Sequence, residues 1–236
     1  MNQVIKRIAA CSLAALGAGG AYGQETLLQR TVEQISSPNV AQDLKLSESQ
    51  TAESNQLFIA FQSSRDDEVK KIAAASGEKV DELNAEIGRM VVALDTRLLS
   101  ILTSSQRERL LQIGVQQEGS QALLDDLVAQ KVGLSTPQRA RIKSIYDKLT
   151  KRQDDYQTAL GDALAKVPDP QTTDEKQIDA YYKKKQEEIV RSLPQAKEFL
   201  AAKTASNKEI FDLLTPQQQK KWFALHGKPL ATGSEK

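Results

Sequence analysis

Val40-Ala41-Gln42-Asp43-Leu44-Lys45-Leu46-Ser47-Glu48-Ser49-Gln50 returns 88 residues later as Val128-Ala129-Gln130-Lys131-Val132-Gly133-Leu134-Ser135-Thr136-Pro137-Gln138. The same register pairs Phe58 with Tyr146 and Asp66-Asp67 with Asp154-Asp155. A second match, at a spacing of 112, sets Leu102-Thr103-Ser104-Ser105-Gln106 against Leu214-Thr215-Pro216-Gln217-Gln218, and Leu110-Leu111 answers Trp222-Phe223. Self-similarity at fixed spacing predicts an internal duplication whose second copy is 24 residues longer.

Between the paired ends the apolar residues fall at helical spacing. Leu57, Phe61, Val69 and Ile72 precede Ser76-Gly77, and Val80, Leu83, Ile87, Met90, Leu94 and Leu98 follow it in steps of three and four. Such steps place them on one stripe of each helix, and a break this short makes the two helices antiparallel neighbours. In the second copy Ile142, Ile145, Leu149, Tyr156, Leu160, Ala163 and Val167 form one arm, and Pro168-Asp169-Pro170 interrupts it. Ile178, Tyr182, Ile189, Leu193, Ala196, Leu200 and Phe211 form the return. Pro194 predicts a kink or break in that arm near Ser192, with Ser192 as a cap for the restarted helix. The fold expected is all-α: two long antiparallel helical hairpins in an extended or curved bundle. The predicted boundaries are 24–118 for the first hairpin repeat, 119–230 for the second, and 231–236 for a disordered tail.

Four segments read Leu-Ser/Thr-x-x-Gln: Leu46-Ser47 with Gln50, Leu102-Thr103 with Gln106, Leu134-Ser135 with Gln138, and Leu214-Thr215 with Gln218. This spacing is that of a capping box, in which the hydroxyl accepts a first-turn amide and the glutamine reaches back to the cap's own N–H. Pro216 suits the first helical position after Thr215, and Pro137 does so if Thr136 is the cap. No hydrophobic staple accompanies the boxes, so the four leucines are read as core anchors. A fifth match, Leu149-Thr150-Lys151-Arg152-Gln153, falls in mid-helix without a counterpart and is read as coincidence.

Composition narrows the chemistry. The 236 residues include 32 Lys+Arg against 31 Asp+Glu, one His, one Cys and 5% aromatic residues. A lone His226, in a helix-ending His-Gly-Lys-Pro context, cannot build a catalytic triad together with a His-based metal cage, and it is read as a partner for a helix C-terminus. No phosphate loop, HExxH or GxSxG pattern occurs. Balanced charge without basic clusters argues against nucleic acid. The carboxylate pairs Asp66-Asp67, Asp125-Asp126, Asp154-Asp155 and Asp174-Glu175 are read as solvated faces, because adjacent helical residues diverge by about 100°. The expectation is no catalytic residue, no metal and no cofactor. At the start of the chain, Lys6-Arg7, the apolar run Ile8–Ala18 and Ala21-Tyr22-Gly23 read as a signal peptide over residues 1–23, cleaved near Gly23/Gln24. A lipoprotein box ending at Cys11 is disfavoured, since only three apolar residues separate Arg7 from it. Cleavage would remove Lys6, Arg7 and Cys11, leaving a periplasmic or secreted protein without a thiol. No stable membrane insertion is expected, because the apolar run is too short to span a bilayer.

An exported helical chain with paired LTxxQ-type motifs flanking a hairpin resembles the periplasmic Spy/CpxP-like LTxxQ-motif family. That resemblance covers Val40 to Leu225 and implies a thin helical cradle, usually a homodimer, acting as an ATP-independent chaperone or envelope-stress protein. The C-terminal part, from Leu214-Thr215-Pro216 through Trp222, Leu225 and Gly227-Lys228-Pro229-Leu230, also resembles secreted bacterial proteins of unassigned function. Ser47 and Ser135 stand where the family usually has Thr, and two unequal hairpins stand in place of its one. Two hairpins in one chain favour an intrachain pseudo-dimer, with a homodimer as the other possibility. The partners expected are unfolded or envelope proteins, met by Phe58, Phe61, Tyr146 and Tyr156 inside a polar rim of Arg65, Asp66, Asp67 and Asp154. The alternative is a structural adaptor that docks one envelope partner.

Overall fold

The computed structural model describes residues 26–172 and 174–230, and among these the chain is all-α, with ten α-helices, two 3-10 helices and no strand. The export segment 1–23 and the tail 231–236 lie outside the described residues. In chain order the helices are α1 (Leu27–Val32), α2 (Pro38–Asp43), α3 (Glu48–Ala74), α4 (Glu78–Ile101), α5 (Ser104–Glu118), α6 (Asp126–Val132), α7 (Thr136–Leu164), α8 (Glu175–Ser192), α9 (Pro194–Asp212) and α10 (Pro216–His226). The 3-10 helices Glu33–Ser36 and Gly119–Leu124 lead into α2 and α6. By packing, the described residues divide into one unit of residues 26–133 with 216–230 and another of residues 134–215. This division departs from the repeat boundary at 118/119, because α10 packs against α5 and α6.

In the first unit α3 and α4 form the first hairpin, joined by Ala75-Ser76-Gly77 with Gly77 at φ 59°, a left-handed turn that glycine adopts without steric cost. Leu94 and Leu98 of α4 join Val32, Ile35, Val40, Leu44, Leu102, Leu110 and Ile113 in the core, and Leu57, Phe58 and Phe61 of α3 pack against that cluster. Burial of each such side chain contributes about 1.5–3 kcal/mol. The core therefore sits at the base of the hairpin. From Gln62 through Val80 no residue is buried.

Helix α5 is the hub of this unit, burying Leu110, Leu111, Ile113, Gly114 and Val115. A Cβ at Gly114 would stand 2.5 Å from the Thr31 hydroxyl and 3.0 Å from Leu27, so the missing side chain lets α1 lie against α5. Arg30 grips Glu118 with two parallel bonds, at 2.9 and 3.1 Å. Asp125 caps two helices with one carboxylate. Its Oδ1 accepts the N–H groups of Leu127 and Val128 at the start of α6, and its Oδ2 accepts the N–H of Leu27 at the start of α1, at 2.6 Å. Helix α10 adds buried Trp222 and Leu225.

In the second unit α7 and α9 pack as the second hairpin. Ile142, Ile145, Leu149 and Leu160 of α7 and Ala196 and Ile210 of α9 are buried. The return arm breaks as Pro194 requires, between α8 and α9. Ser192, however, is not the cap: its hydroxyl donates back to the Ile189 carbonyl at 2.9 Å, and Leu193 takes the cap position without a side-chain bond. Leucine carries no side-chain acceptor, so no such bond can form, and Pro194 fits the first helical position because its missing N–H costs nothing there. The linker after α7 is tied down by Tyr181, which donates to the Pro168 carbonyl at 3.1 Å, and by Tyr182, which donates to Asp169 at 2.9 Å.

Candidate binding surfaces

The motif hydroxyls close capping boxes. Ser47, Thr103 and Ser135 each accept the N–H of the glutamine three residues on, whose Oε1 accepts the N–H of the cap. Ser135 rather than Thr136 is the cap of α7, so Pro137 occupies the second helical position. Helix α10 begins at Pro216, directly after Thr215. Leu102 and Leu214 are buried, and Leu46 and Leu134 are half-buried. The match at Leu149 lies inside α7. A further box, Thr26 with Gln29, opens α1. It escaped the motif because Glu25 precedes it in place of leucine; a search for Thr-x-x-Gln alone would have found it.

The glutamines do more than close the boxes. Each turns its amide NH2 onto a carbonyl at the C-terminal end of another helix, where four carbonyls lack intrahelical partners. Gln50 donates to Ile101, the last residue of α4, at 2.7 Å, and Gln106 to Leu44, the cap residue of α2, at 3.2 Å. The two side chains also bond each other, at 2.8 and 3.0 Å. Gln138 donates to Leu213, the cap residue of α9, at 2.8 Å, and Gln218 to Gly133, the cap residue of α6, at 2.7 Å. Glutamate would close a capping box equally well but has no N–H to give. The second contact explains glutamine at all four positions.

The four aromatic candidates fall in two groups. Phe58 and Phe61 are half-buried against the core of the first unit. Tyr146 and Tyr156 are half-buried in the second unit, and Tyr156 stacks on Phe199 at 5.8 Å between centroids. The expected rim pairs along its own helix: Arg65 bonds Asp66 at 3.2 Å and Lys70 bonds Asp67 at 3.0 Å, while Asp154 is exposed. The large apolar side chains that face outward are Ile59 and Val69 on α3, Val92 on α4, Leu124, Leu200 on α9 and Phe223 on α10. Helical periodicity separates a seam from its reverse but cannot say how far along a seam a partner extends.

Polar groups are placed for structure. Asp125, half-buried, and Asp174, exposed, also cap helices, a role the pairwise reading left out, since an aspartate one residue before a helix has first-turn amides within reach. His226 ends α10, with Nδ1 3.0 Å from the Trp222 carbonyl and its ring edge-on to that indole. Hydrogen bonds hold the Lys70, Lys71 and Lys185 ammonium groups charged to higher pH than usual, through Asp67, Glu68 and Glu188. Burial, then the bond to Asp169, pushes the Tyr182 phenol up. Among the described residues no three His, Cys, Asp or Glu side chains gather as a metal-binding group, and no helix is long and apolar enough to cross a membrane. Arg152, Asp155, Gln195, Glu198 and Phe199 line a cleft of about 20 Å³, room for about one water.

Comparison with known proteins finds no matching family model, no matching curated protein and no matching solved structure.

Proposed function

We propose that this chain is an exported, non-catalytic binding protein of the Spy/CpxP-like type, a holder of non-native or envelope proteins that uses no nucleotide, metal or cofactor. We also take its two hairpin regions as copies of one ancestral unit. The observation that carries the reading is the outward aliphatic surface of the hairpin arms. Ile59 is 67% exposed, Val69 49%, Val92 41% and Leu200 61%, each on a helix that also exposes polar and charged side chains. Apolar groups set among charges give weak, adaptable contacts, which is what binding many unfolded sequences requires. Export rests on the Lys6-Arg7, Ile8–Ala18 and Ala21-Tyr22-Gly23 pattern.

The test is suppression of aggregation of several unrelated, chemically denatured clients without ATP. Suppression is expected near equimolar ratio, and Val69→Asp with Val92→Asp should weaken it while leaving the melting temperature unchanged. Failure across all clients by a folded protein rejects the holding role and favours an adaptor for one partner. A monomer by light scattering is expected, since one chain supplies two hairpins; hairpins paired between chains in a homodimer would reject the pseudo-dimer.

A further inference from the structure

After α10 the chain runs on as a strap, Gly227–Leu230, laid against α5. Gln116 of α5 holds this strap by its backbone alone. Its Nε2 donates to the His226 carbonyl and, at 2.6 Å, to the Lys228 carbonyl, while its Oε1 accepts the Leu230 N–H at 3.0 Å. Leu230 packs half-buried against the core cluster of the first unit, whereas Lys228 and Pro229 face outward. Gly227, at φ 58°, brings the backbone so close to α5 that an added Cβ would collide with the Gln112 side chain.

The strap and the helix before it are anchored very differently. Helix α10 is fixed by buried Trp222 and Leu225, while the strap is held by one carboxamide and one half-buried leucine. The strap is thus the more weakly held of the two. Gln116 reads no strap side chain, so any extended segment offering a carbonyl, an N–H and an aliphatic side chain at the positions of Lys228 and Leu230 meets the same demands, the His226 carbonyl staying with α10.

We propose that the α5 face around Gln116 is a binding site for extended, non-native polypeptide, closed in the resting protein by its own C-terminal strap. This deepens the proposed holding role but uses a surface apart from Ile59, Val69 and Val92. Strap release then regulates access, and an incoming segment binds by competition with Leu230.

The test uses a fluorescent peptide with the sequence of residues 227–236, added to the full-length chain and to a chain ending at His226. The peptide should bind the shortened chain and bind the full-length chain about tenfold more weakly or worse. Gln116→Leu in the shortened chain should weaken binding about tenfold, the loss expected for the hydrogen bonds it removes. If shortening prevents folding, Leu230→Asp in the full-length chain undocks the strap and should admit the peptide instead. No binding by either folded variant, or binding indifferent to Gln116→Leu, overturns the proposal. So does a full-length dimer that disappears on shortening, which would give the site to the strap of a second copy. Because the readout is peptide binding, the proposal can fail while aggregation suppression by the hairpin arms persists, and the reverse.

Discussion

The two hairpins begin and end on matching residues and differ in between. In the first, three residues join α3 to α4, and α3 buries only Ser54 along its whole length. In the second, a longer linker is pinned by Tyr181 and Tyr182, the return arm is cut at Pro194, and buried residues run along α7 from Ile142 to Leu160. Matching positions thus carry the helix-end bonding, while length and seam packing vary. The first hairpin's main core lies at its base, and beyond it the buried positions come from α4, through Leu83 and Gly88, while α3 buries none.

The largest effect expected follows from that contrast. Leu98→Ala, at a residue with no exposed area, should cost about 2–5 kcal/mol. Val69→Ala at the open arm should stay within about 0.5 kcal/mol. Urea denaturation measures both; comparable losses would mean that the distal arm is packed after all, and the contrast with α7 would fall.

Next comes Gln106→Glu. It keeps an acceptor for the Thr103 N–H but loses the donor to Leu44 and to Gln50, and should cost about 1–3 kcal/mol at neutral pH. A protonated glutamic acid regains one O–H donor, so its folded pKa is raised above the unfolded value near 4.3. The stabilising bond is present below that pH and is lost as pH rises through the folded pKa. Unfolding at pH 4 and pH 7 should show the larger deficit at pH 7, and Gln138→Glu should behave alike through Leu213. A neutral result would reduce these glutamines to ordinary caps.

Much of the fold was legible because its signals are local. Four-residue boxes, Ser76-Gly77 and Pro194 mark helix ends wherever they occur. The hub was not. Helix α1 is six residues long, too short for a periodicity, and its attachment to α5 depends on Gly114, on Arg30 with Glu118, and on Asp125 reaching Leu27 across 98 positions. The boxes revealed that each glutamine closes a helix start but not that its other end satisfies a distant carbonyl. Of the binding candidates, Phe58 and Phe61 are shared between the base core and the surface, and periodicity alone gives no measure of that division.

A finer test concerns Lys45 and Gly133. One residue before each hairpin's opening motif the backbone turns left-handed, with φ 51° at Lys45 and 82° at Gly133. A side chain costs about 1–2 kcal/mol in that region. Gly133→Ala should therefore destabilise by roughly that amount, and Lys45→Gly should stabilise by about 0.5–1 kcal/mol once the added freedom of the unfolded chain is counted. Opposite signs in thermal melts support matched helix stops; a loss from Lys45→Gly would show that its side chain contributes more than its backbone costs.

The smallest effect expected separates the two linkers. Gly77 turns the first hairpin without side-chain help, while Tyr182 supports the second by donating to Asp169, so Tyr182→Phe should cost about 0.5–1 kcal/mol at pH 7. Burial and the neighbouring carboxylate raise the phenol's folded pKa above its unfolded value near 10. The neutral phenol is the stabilising form, so its contribution is complete below the unfolded pKa and is lost as pH rises through the folded one. Melting curves of the two proteins should differ most at neutral pH and converge in strong alkali. A constant gap would mean that ionisation of the phenol does not bear on stability, and that the second linker is held no more electrostatically than the first.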